Sequence, residues 1–186
     1  MSVPTASPPF SDWPDQVHRA LSAARVTQVA YVPDAGHKRL IELCHADPGM
    51  RAIPLTSEEE GVGLAGGAWL GGAKSVLLMQ SSGVGNVVNA LAMAQECRFP
   101  VVMLVTMRGE EGETNPWQLP MGQAAATVLG AMGVKVRRAE TPESVAPAVE
   151  SALGSVYDAP AGKEWAMAVL IAQRVVGVKR FVEAAE

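Results

Sequence analysis

The chain alternates short apolar runs with longer segments in which apolar residues recur every three or four positions. The apolar runs predict six strands. They cover 26–32, 50–55, 73–80, 99–107, 133–139 and 164–172. The periodic segments between them predict helices. Strands that alternate with helices through short connections predict an α/β fold, with an open, mostly parallel six-stranded sheet and helices on both faces.

The first residues of the chain differ from the rest in composition. The stretch MSVPTASPPFSDWPD holds four prolines and no apolar run, which argues against a signal peptide. We therefore expect a flexible arm over 1–14 and one domain over 15–186. The chain has no internal repeat and no polar linker, and 186 residues are enough to bury a core.

Composition narrows the range of functions. Hydrophobic residues make up 48 % of the chain and charged residues 18 %, which argues against disorder. With a net charge of −4 and scattered basic residues, we expect no nucleic-acid partner. No window reaches the roughly 18 apolar residues of a membrane span, so we expect no membrane contact. The two cysteines lie far apart and are expected as free thiols in a cytoplasmic setting.

The stretch TSEEEGVGLAGGAWLGG, at 56–72, places three glutamates before a segment of small residues. Ser57 and Glu60 match a capping box, which predicts the start of a helix, and Glu58 is interpreted as a surface charge. The four glycines that follow each cost a helix up to about 1 kcal/mol, which favours close approach of a helix, a second subunit or a flat ligand. Consecutive side chains point about 100° apart, so at most two of the glutamates face inward. The pattern alone does not choose among them.

Ligands in open α/β sheets bind at the carboxyl ends of strands, where 57–60, 80–89 and 108–118 fall. The turn SSGVGN supplies two glycines that let backbone amides approach a ligand. As a dinucleotide fingerprint it lacks the third glycine, because Val88 stands there, although Glu110 lies at a distance suited to a ribose contact. A nicotinamide site and a turn without ligand both stay open. The polar loop at 108–118 is either solvated surface or a substrate-facing segment.

Two other kinds of site are not supported by the sequence. The spacing of histidines and cysteines matches no metal-ligand motif, so we expect no metal ligands in this chain. Ser81 and Ser82 lack the Gly-x-Ser-x-Gly frame of a nucleophile elbow.

The stretch EEEGVGLAGGAWLGGAKSVLLMQSSGVGNVVNAL resembles the pyrimidine-binding domain of thiamine-diphosphate-dependent decarboxylases. Within them it is most similar to the group of the sulfopyruvate decarboxylase α subunits and phosphonopyruvate decarboxylases. The resemblance extends from YVPDAG at Tyr31 through RGEEGETNPWQLPMG to Leu170. Together these motifs are specific, although no single one is.

The resemblance implies a catalytic role for one of the three glutamates. In that family the glutamate has a small residue two positions on and a small-aromatic pair nine and ten positions on. Glu59 meets this spacing with Gly61 and with Ala68 and Trp69. Glu59 would then bind N1′ of the cofactor's aminopyrimidine and promote formation of the ylid.

The resemblance also implies contacts around the turn after the third strand. Cofactor contacts are expected, besides Glu59, from Gly83, Val84, Gly85 and Asn86. Substrate contacts are expected from Gln80, Ser81, Ser82, Arg108 and Asn115. Histidines that some members carry at this strand end are absent here, which leaves the residues of proton transfer to the substrate open.

The function implied is that of the α subunit of a 2-oxo acid decarboxylase, with conversion of sulfopyruvate to sulfoacetaldehyde and CO₂ as the first choice. Alternatives are a phosphonopyruvate decarboxylase or another thiamine-diphosphate lyase subunit, a non-catalytic regulatory subunit of the same fold, and a nicotinamide-binding oxidoreductase.

A missing motif implies a partner. These enzymes hold the diphosphate through Mg²⁺ with a Gly-Asp-Gly motif in a second domain, and this sequence contains none. We therefore expect a β subunit that carries that motif and holds most of the Mg²⁺ site. The expected assembly is a hetero-oligomer, α₂β₂ or larger.

Overall fold

The computed structural model describes residues 12–158 and 164–177. Its six strands form one sheet in which every neighbouring pair is parallel, in the order β2-β1-β3-β4-β6-β5. The strands are β1 Val26–Tyr31, β2 Arg51–Pro54, β3 Lys74–Gln80, β4 Val101–Thr106, β5 Lys135–Ala139 and β6 Ala166–Ile171. The predicted six-stranded α/β sheet is confirmed, and it is parallel throughout.

Seven helices connect and cover the strands in the described residues. They are α1 Trp13–Ala23, α2 Lys38–Ala46, α3 Glu58–Leu70, α4 Val84–Cys97, α5 Leu119–Ala131, α6 Pro142–Leu153 and α7 Gln173–Val176. The short α7 after β6 was not predicted. Residues 1–11 of the predicted arm lie outside the described residues, and α1 begins two positions before the predicted domain start.

The core consists of two apolar layers, one on each face of the sheet. On one face α1, α2 and α6 bury side chains such as Leu21, Leu40 and Val149 against the strands. On the other face α3, α4 and α5 bury Val62, Leu91 and Leu129. Strands covered on both faces need continuous apolar runs, and for this reason β4 and β6 are buried along their whole length.

The glycines of α3 fall into two pairs. Gly61 and Gly66 face the sheet, where an added Cβ would meet Leu77 and Phe99 at 2.5 and 3.2 Å. Gly63 and Gly67 open outward, and nothing lies within 4 Å of an added Cβ. Two of the four glycines are therefore explained by packing of α3 on its own sheet, and only the outer two leave room for something beyond this chain.

The sheet order places a crevice at one edge. From β1 the chain moves outward to β2 and then returns to the other side of β1 as β3, so the strand order reverses between β1 and β3. Helices diverge at such a reversal and leave a crevice at the carboxyl ends of the strands. The described helices include none long and apolar enough to cross a membrane. Both cysteines are free, with Cys44 buried and Cys97 exposed.

Candidate functional site

The first turn of α3 lies at this crevice. The helix begins at Glu58 with Ser57 as its N-cap, so the predicted helix start is confirmed. The predicted capping box of Ser57 and Glu60 is wrong, because the Ser57 side chain makes no capping bond. Instead the carboxylate of Glu60 accepts a hydrogen bond from the backbone N–H of Thr56 at 3.0 Å, one residue earlier.

Glu58 is buried, with only 6 % of its surface exposed, so its interpretation as a surface charge is wrong. It precedes Gly61 and Val62 by three and four residues, and those residues face the sheet, so it shares their side of the helix. Its Oε2 accepts a hydrogen bond from Nδ2 of Asn86 at 2.7 Å. Its carboxylate fills the space that a Cβ of Gly83 would need.

Glu59 lies on the exposed side of the same turn. The first turn of α3 therefore presents one carboxylate toward the 81–86 turn and another toward the outside. The buried carboxylate is held in one position by Asn86 and Gly83. The outer one is free to meet a partner or a ligand.

The predicted cofactor residues in the turn at 81–86 differ in their exposure. Ser81–Gly83 form one 3₁₀ turn, and α4 begins at Val84, whose side chain is fully buried in the core. Gly85 and Asn86 are exposed at the start of α4. Val84 can therefore face the crevice through its backbone but not through its side chain, whereas Asn86 contributes its side chain.

The end of β3 holds the predicted substrate residues in a hydrogen-bonded chain. Nε2 of Gln80 donates to Oδ1 of Asp34 at 3.0 Å, and the hydroxyl of Ser82 donates to Oε1 of Gln80 at 2.9 Å. Ser81 is fully buried, and its hydroxyl accepts from the backbone N–H of Arg108 at 3.0 Å. Ser82 is exposed and Ser81 joins β3 to the loop after β4.

Asp34 is the polar centre that sequence reasoning missed. Besides Gln80, it binds Oγ1 of Thr106 at 2.5 Å and the backbone N–H of Gly36 at 3.1 Å, both at its Oδ2. Burial alone would raise the pKa of Asp34. The hydrogen bond from Thr106, the charge interaction with His37 and the hydrogen bond from Gln80 together outweigh it and hold the pKa below its usual value. The signal was available, because Asp34 follows a strand that ends at the crevice.

A small cavity of about 130 Å³ opens beside this carboxylate. It is lined by Asp34, Gly36, Thr106 and Arg108, together with Ala35 and the end of α7 at 176–177. An added Cβ at Gly36 would meet Thr106 at 2.8 Å and Asp34 at 2.9 Å, so the loop after β1 can approach β4 only with glycine at this position.

The loop after β4 is held by a buried ion pair. Nε and Nη2 of Arg108 donate to the two carboxylate oxygens of Glu113 at 2.6 and 2.7 Å. The Glu113 side chain is fully buried and also accepts from the backbone N–H groups of Gly109 and Asn115 and from Nε2 of Gln173. The hydrogen bonds from Arg108 are the main cause that lowers the pKa of Glu113 to about 2, although burial acts to raise it.

Arg108 and Asn115 are therefore already engaged within the chain. The guanidinium group of Arg108 is 10 % exposed and is neutralised by Glu113. The side-chain oxygen of Asn115 accepts from the backbone N–H of Trp117 at 3.1 Å, and it caps the short helical turn that begins at Pro116. The loop is an ordered wall of the crevice.

Residues 13–133 match the family of the N-terminal TPP-binding domain of thiamine pyrophosphate enzymes. This chain belongs to that family.

Two curated relatives are matched over most of their length, and a third is a longer protein. The chain is 37 % identical to a sulfopyruvate decarboxylase subunit alpha of Methanothermobacter thermautotrophicus, over 86 % of this chain and 95 % of the relative. It is 32 % identical to the subunit of the same name from Methanocaldococcus jannaschii, over 76 % and 84 %. A phosphonopyruvate decarboxylase of Streptomyces viridochromogenes is 37 % identical over 59 % of this chain and 28 % of that longer protein.

A solved structure supports the fold. A 2-oxoglutarate:ferredoxin oxidoreductase from Magnetococcus marinus superposes with a TM-score of 0.66 at 16 % identity. The match covers 86 % of this chain and 28 % of the oxidoreductase chain. At this identity the likeness shows a shared fold alone.

The crevice of this thiamine pyrophosphate family member fits one part of the cofactor. A carboxylate fixed against a glycine turn is suited to bind a ring nitrogen of the aminopyrimidine. The described residues contain no group of three or more His, Cys, Asp or Glu side chains placed to hold a metal ion.

Gly83→Ala tests the contact between α3 and the 81–86 turn. The backbone of Gly83 has φ −73° and tolerates alanine, so the collision of the new Cβ with the Glu58 carboxylate is the only cost. We expect the free energy of unfolding to fall by about 1–3 kcal/mol in urea titrations. The matched control is Gly85→Ala, whose Cβ lies 4.0 Å from the nearest atom, of Met121. It should be neutral or stabilising, and an equal loss in both variants would contradict the contact.

Glu113→Gln tests the ion pair that holds the loop. Removing the charge leaves Arg108 buried without its partner, so the free energy of unfolding should fall by about 3 kcal/mol at pH 7. The carboxyl has a pKa of about 2 in the folded chain against 4.5 in the reference state. Its contribution is thus complete above about pH 4.5 and is lost as pH falls toward 2.

Urea titrations at pH 7, 5, 4 and 3 check this prediction. The stability difference between the parent chain and Glu113→Gln should shrink below pH 4.5. Glu111→Gln, an exposed position of the same loop, is the control and should change stability by less than about 0.5 kcal/mol. A difference independent of pH would contradict the ion pair.

Proposed function

We propose that this chain is the α subunit of a thiamine-diphosphate-dependent 2-oxo acid decarboxylase, active only with a partner subunit. The proposed reaction converts sulfopyruvate to sulfoacetaldehyde and CO₂. Phosphonopyruvate, or another small acidic 2-oxo acid, is the alternative substrate. Three relatives named sulfopyruvate decarboxylase subunit alpha, of which the chain covers 83 to 95 %, support the first choice.

The observation that carries the proposal is the buried carboxylate at the start of α3. Glu58 lies at the carboxyl edge of the sheet, beside the strand reversal, and it contacts the glycine turn that follows β3. Thiamine diphosphate, when bound, supplies the electron sink for cleavage of the bond to the carboxylate. The part of this chain is to hold the aminopyrimidine ring and to keep a proton acceptor at its ring nitrogen.

Two glutamates are candidates for that acceptor. The family spacing supports Glu59, which is exposed and free to meet a ligand. The geometry supports Glu58, because a proton relay needs a carboxylate that is fixed in position and shielded from water. We give Glu58 the greater weight, since the Asn86 amide already orients its carboxylate while Gly83 lets it lie close to the turn. Glu59 is the second candidate.

The 81–86 turn would contact the cofactor ring, and the end of β3 would contact the 2-oxo acid. The backbone at Gly83, Val84 and Gly85 lies beside the carboxylate and suits contact with a flat ring. At the end of β3, Gln80 is half-buried and Ser82 is exposed, and both carry polar groups that suit the oxygens of a 2-oxo acid. Arg108, Asn115 and Ser81 would act indirectly, by holding the loop wall in place.

The partner is proposed from what this chain lacks. No Gly-Asp-Gly occurs in its sequence. The name "subunit alpha" of the relatives implies a second subunit. We propose that a β subunit with this motif binds the diphosphate through Mg²⁺, and that the pair assembles as a hetero-oligomer such as α₂β₂.

The test is reconstitution followed by matched substitutions of the three glutamates. The chain is mixed with the β subunit, thiamine diphosphate and Mg²⁺, and CO₂ release is measured from sulfopyruvate, phosphonopyruvate and pyruvate. Sulfopyruvate should give the highest kcat/KM. Glu58→Gln should lower kcat at least about 100-fold, because proton transfer by a positioned side chain contributes on that order. Glu60→Gln, in the same turn, is the control and should stay within about threefold.

Exchange of the cofactor's C2 proton with deuterium, followed by NMR, separates proton relay from later steps. Slow exchange in Glu58→Gln supports the geometric assignment. Slow exchange in Glu59→Gln, with Glu58→Gln unaffected, assigns the role to Glu59 instead. No CO₂ release from any 2-oxo acid by the assembled pair would favour a non-catalytic subunit and overturn the proposed activity.

A further inference from the structure

We propose that Asp34 is a positioning residue that fixes the direction of the Gln80 side-chain amide at the crevice. This inference rests on the proposed function, in which Gln80 faces the substrate. It assigns a role to a carboxylate that is not among the predicted site residues.

Asp34 stands where three neighbouring strands end. It follows β1, it accepts from Gln80 at the last position of β3, and it accepts from Thr106 at the last position of β4. The strand order reverses between β1 and β3, so the carboxylate lies at the point where a ligand enters an open α/β sheet.

Both oxygens of the carboxylate are committed. Oδ2 accepts hydrogen bonds from two donors, the Thr106 hydroxyl and the backbone N–H of Gly36. A backbone N–H can only donate, so an acceptor atom must stand at this position. Oδ1 is left for Gln80. An ionised carboxylate accepts and does not donate, so Gln80 must turn its NH₂ end toward Asp34.

The direction of this amide decides what the crevice offers. Oε1 of Gln80 is turned to the Ser82 hydroxyl, which donates to it. Nε2 carries two protons, and one of these N–H groups donates a hydrogen bond to Asp34. The second N–H is thereby held beside the carboxylate, available to an acceptor. A 2-oxo acid offers only acceptor oxygens, and for this reason the direction of the amide matters for binding.

Asp34→Asn should reverse the amide with little change in shape. The Asn oxygen must serve Gly36 and Thr106, so its NH₂ group faces Gln80. Gln80 then turns its oxygen toward position 34 and its NH₂ toward Ser82. The donor leaves the place where the substrate oxygen binds, and we expect KM to rise about tenfold, as for loss of one hydrogen bond to a charged ligand. The kcat should stay within about threefold.

Two further variants separate orientation from stability. Thr106→Val removes one donor from the same carboxylate and leaves the Gln80 bond intact, so it should lower Tm while KM stays within about twofold. The double variant Asp34→Asn with Gln80→Glu restores a donor–acceptor pair, so Tm should recover. KM should stay high, because the carboxylate introduced by Gln80→Glu carries no N–H.

The kinetics are measured on the reconstituted complex, and NMR of the ¹⁵N-labelled full chain gives a readout that needs no activity. In the parent chain one Gln80 side-chain proton should be shifted downfield by its bond to Asp34, and Asp34→Asn should abolish that shift. Gln80→Leu identifies the signal.

The possible outcomes are distinct. If Asp34→Asn lowers Tm with KM and the Gln80 signals unchanged, the inference is overturned and Asp34 is purely structural. If the parent complex releases no CO₂, the proposed function fails, while the NMR comparison still decides how the Gln80 amide is oriented.

Discussion

Parallel pairing of all six strands constrains everything else at the crevice. It forces each strand to end at the same edge, so residues far apart in sequence meet there. For this reason Asp34, in the loop after β1, forms one hydrogen-bonded group with Gln80 and Thr106, which end β3 and β4. Continuous apolar cover on both faces leaves that edge as the place where buried polar side chains can collect.

Burial makes each carboxylate at this edge depend on its donors. Glu113 has an arginine, two backbone N–H groups and an amide around it, and Asp34 has a hydroxyl, an amide and one backbone N–H. Glu58 has the Asn86 amide alone as a side-chain donor in the described residues. Among these three carboxylates, the one beside the glycine turn therefore has the fewest side-chain and backbone donors.

Much of the fold follows from local patterns, and the site follows only in part. The apolar runs revealed β3, β4 and β6 most clearly, because a parallel strand buried on both faces needs a continuous apolar run. The edge strands β2 and β5 are partly exposed and were predicted as short strands between helices. The choice between Glu58 and Glu59 depends on the phase of α3, which Gly61, Val62, Ala65 and Gly66 set by facing the sheet. That spacing was present in the sequence, but the glycines were interpreted as room for another helix, a second subunit or a flat ligand, without a choice among the glutamates. The pairing of Arg108 with Glu113 was not accessible, because loop residues five positions apart follow no period.

The buried ion pair in the loop after β4 has a consequence for assembly. Glu113 accepts hydrogen bonds from Arg108, Gly109 and Asn115 within this chain alone. A loop that is already ordered loses little conformational entropy when another surface closes over it. Trp117, at the end of this loop and 87 % exposed, is thus presented on a rigid support. A side chain presented in this way favours rapid docking with little rearrangement over slow mutual folding.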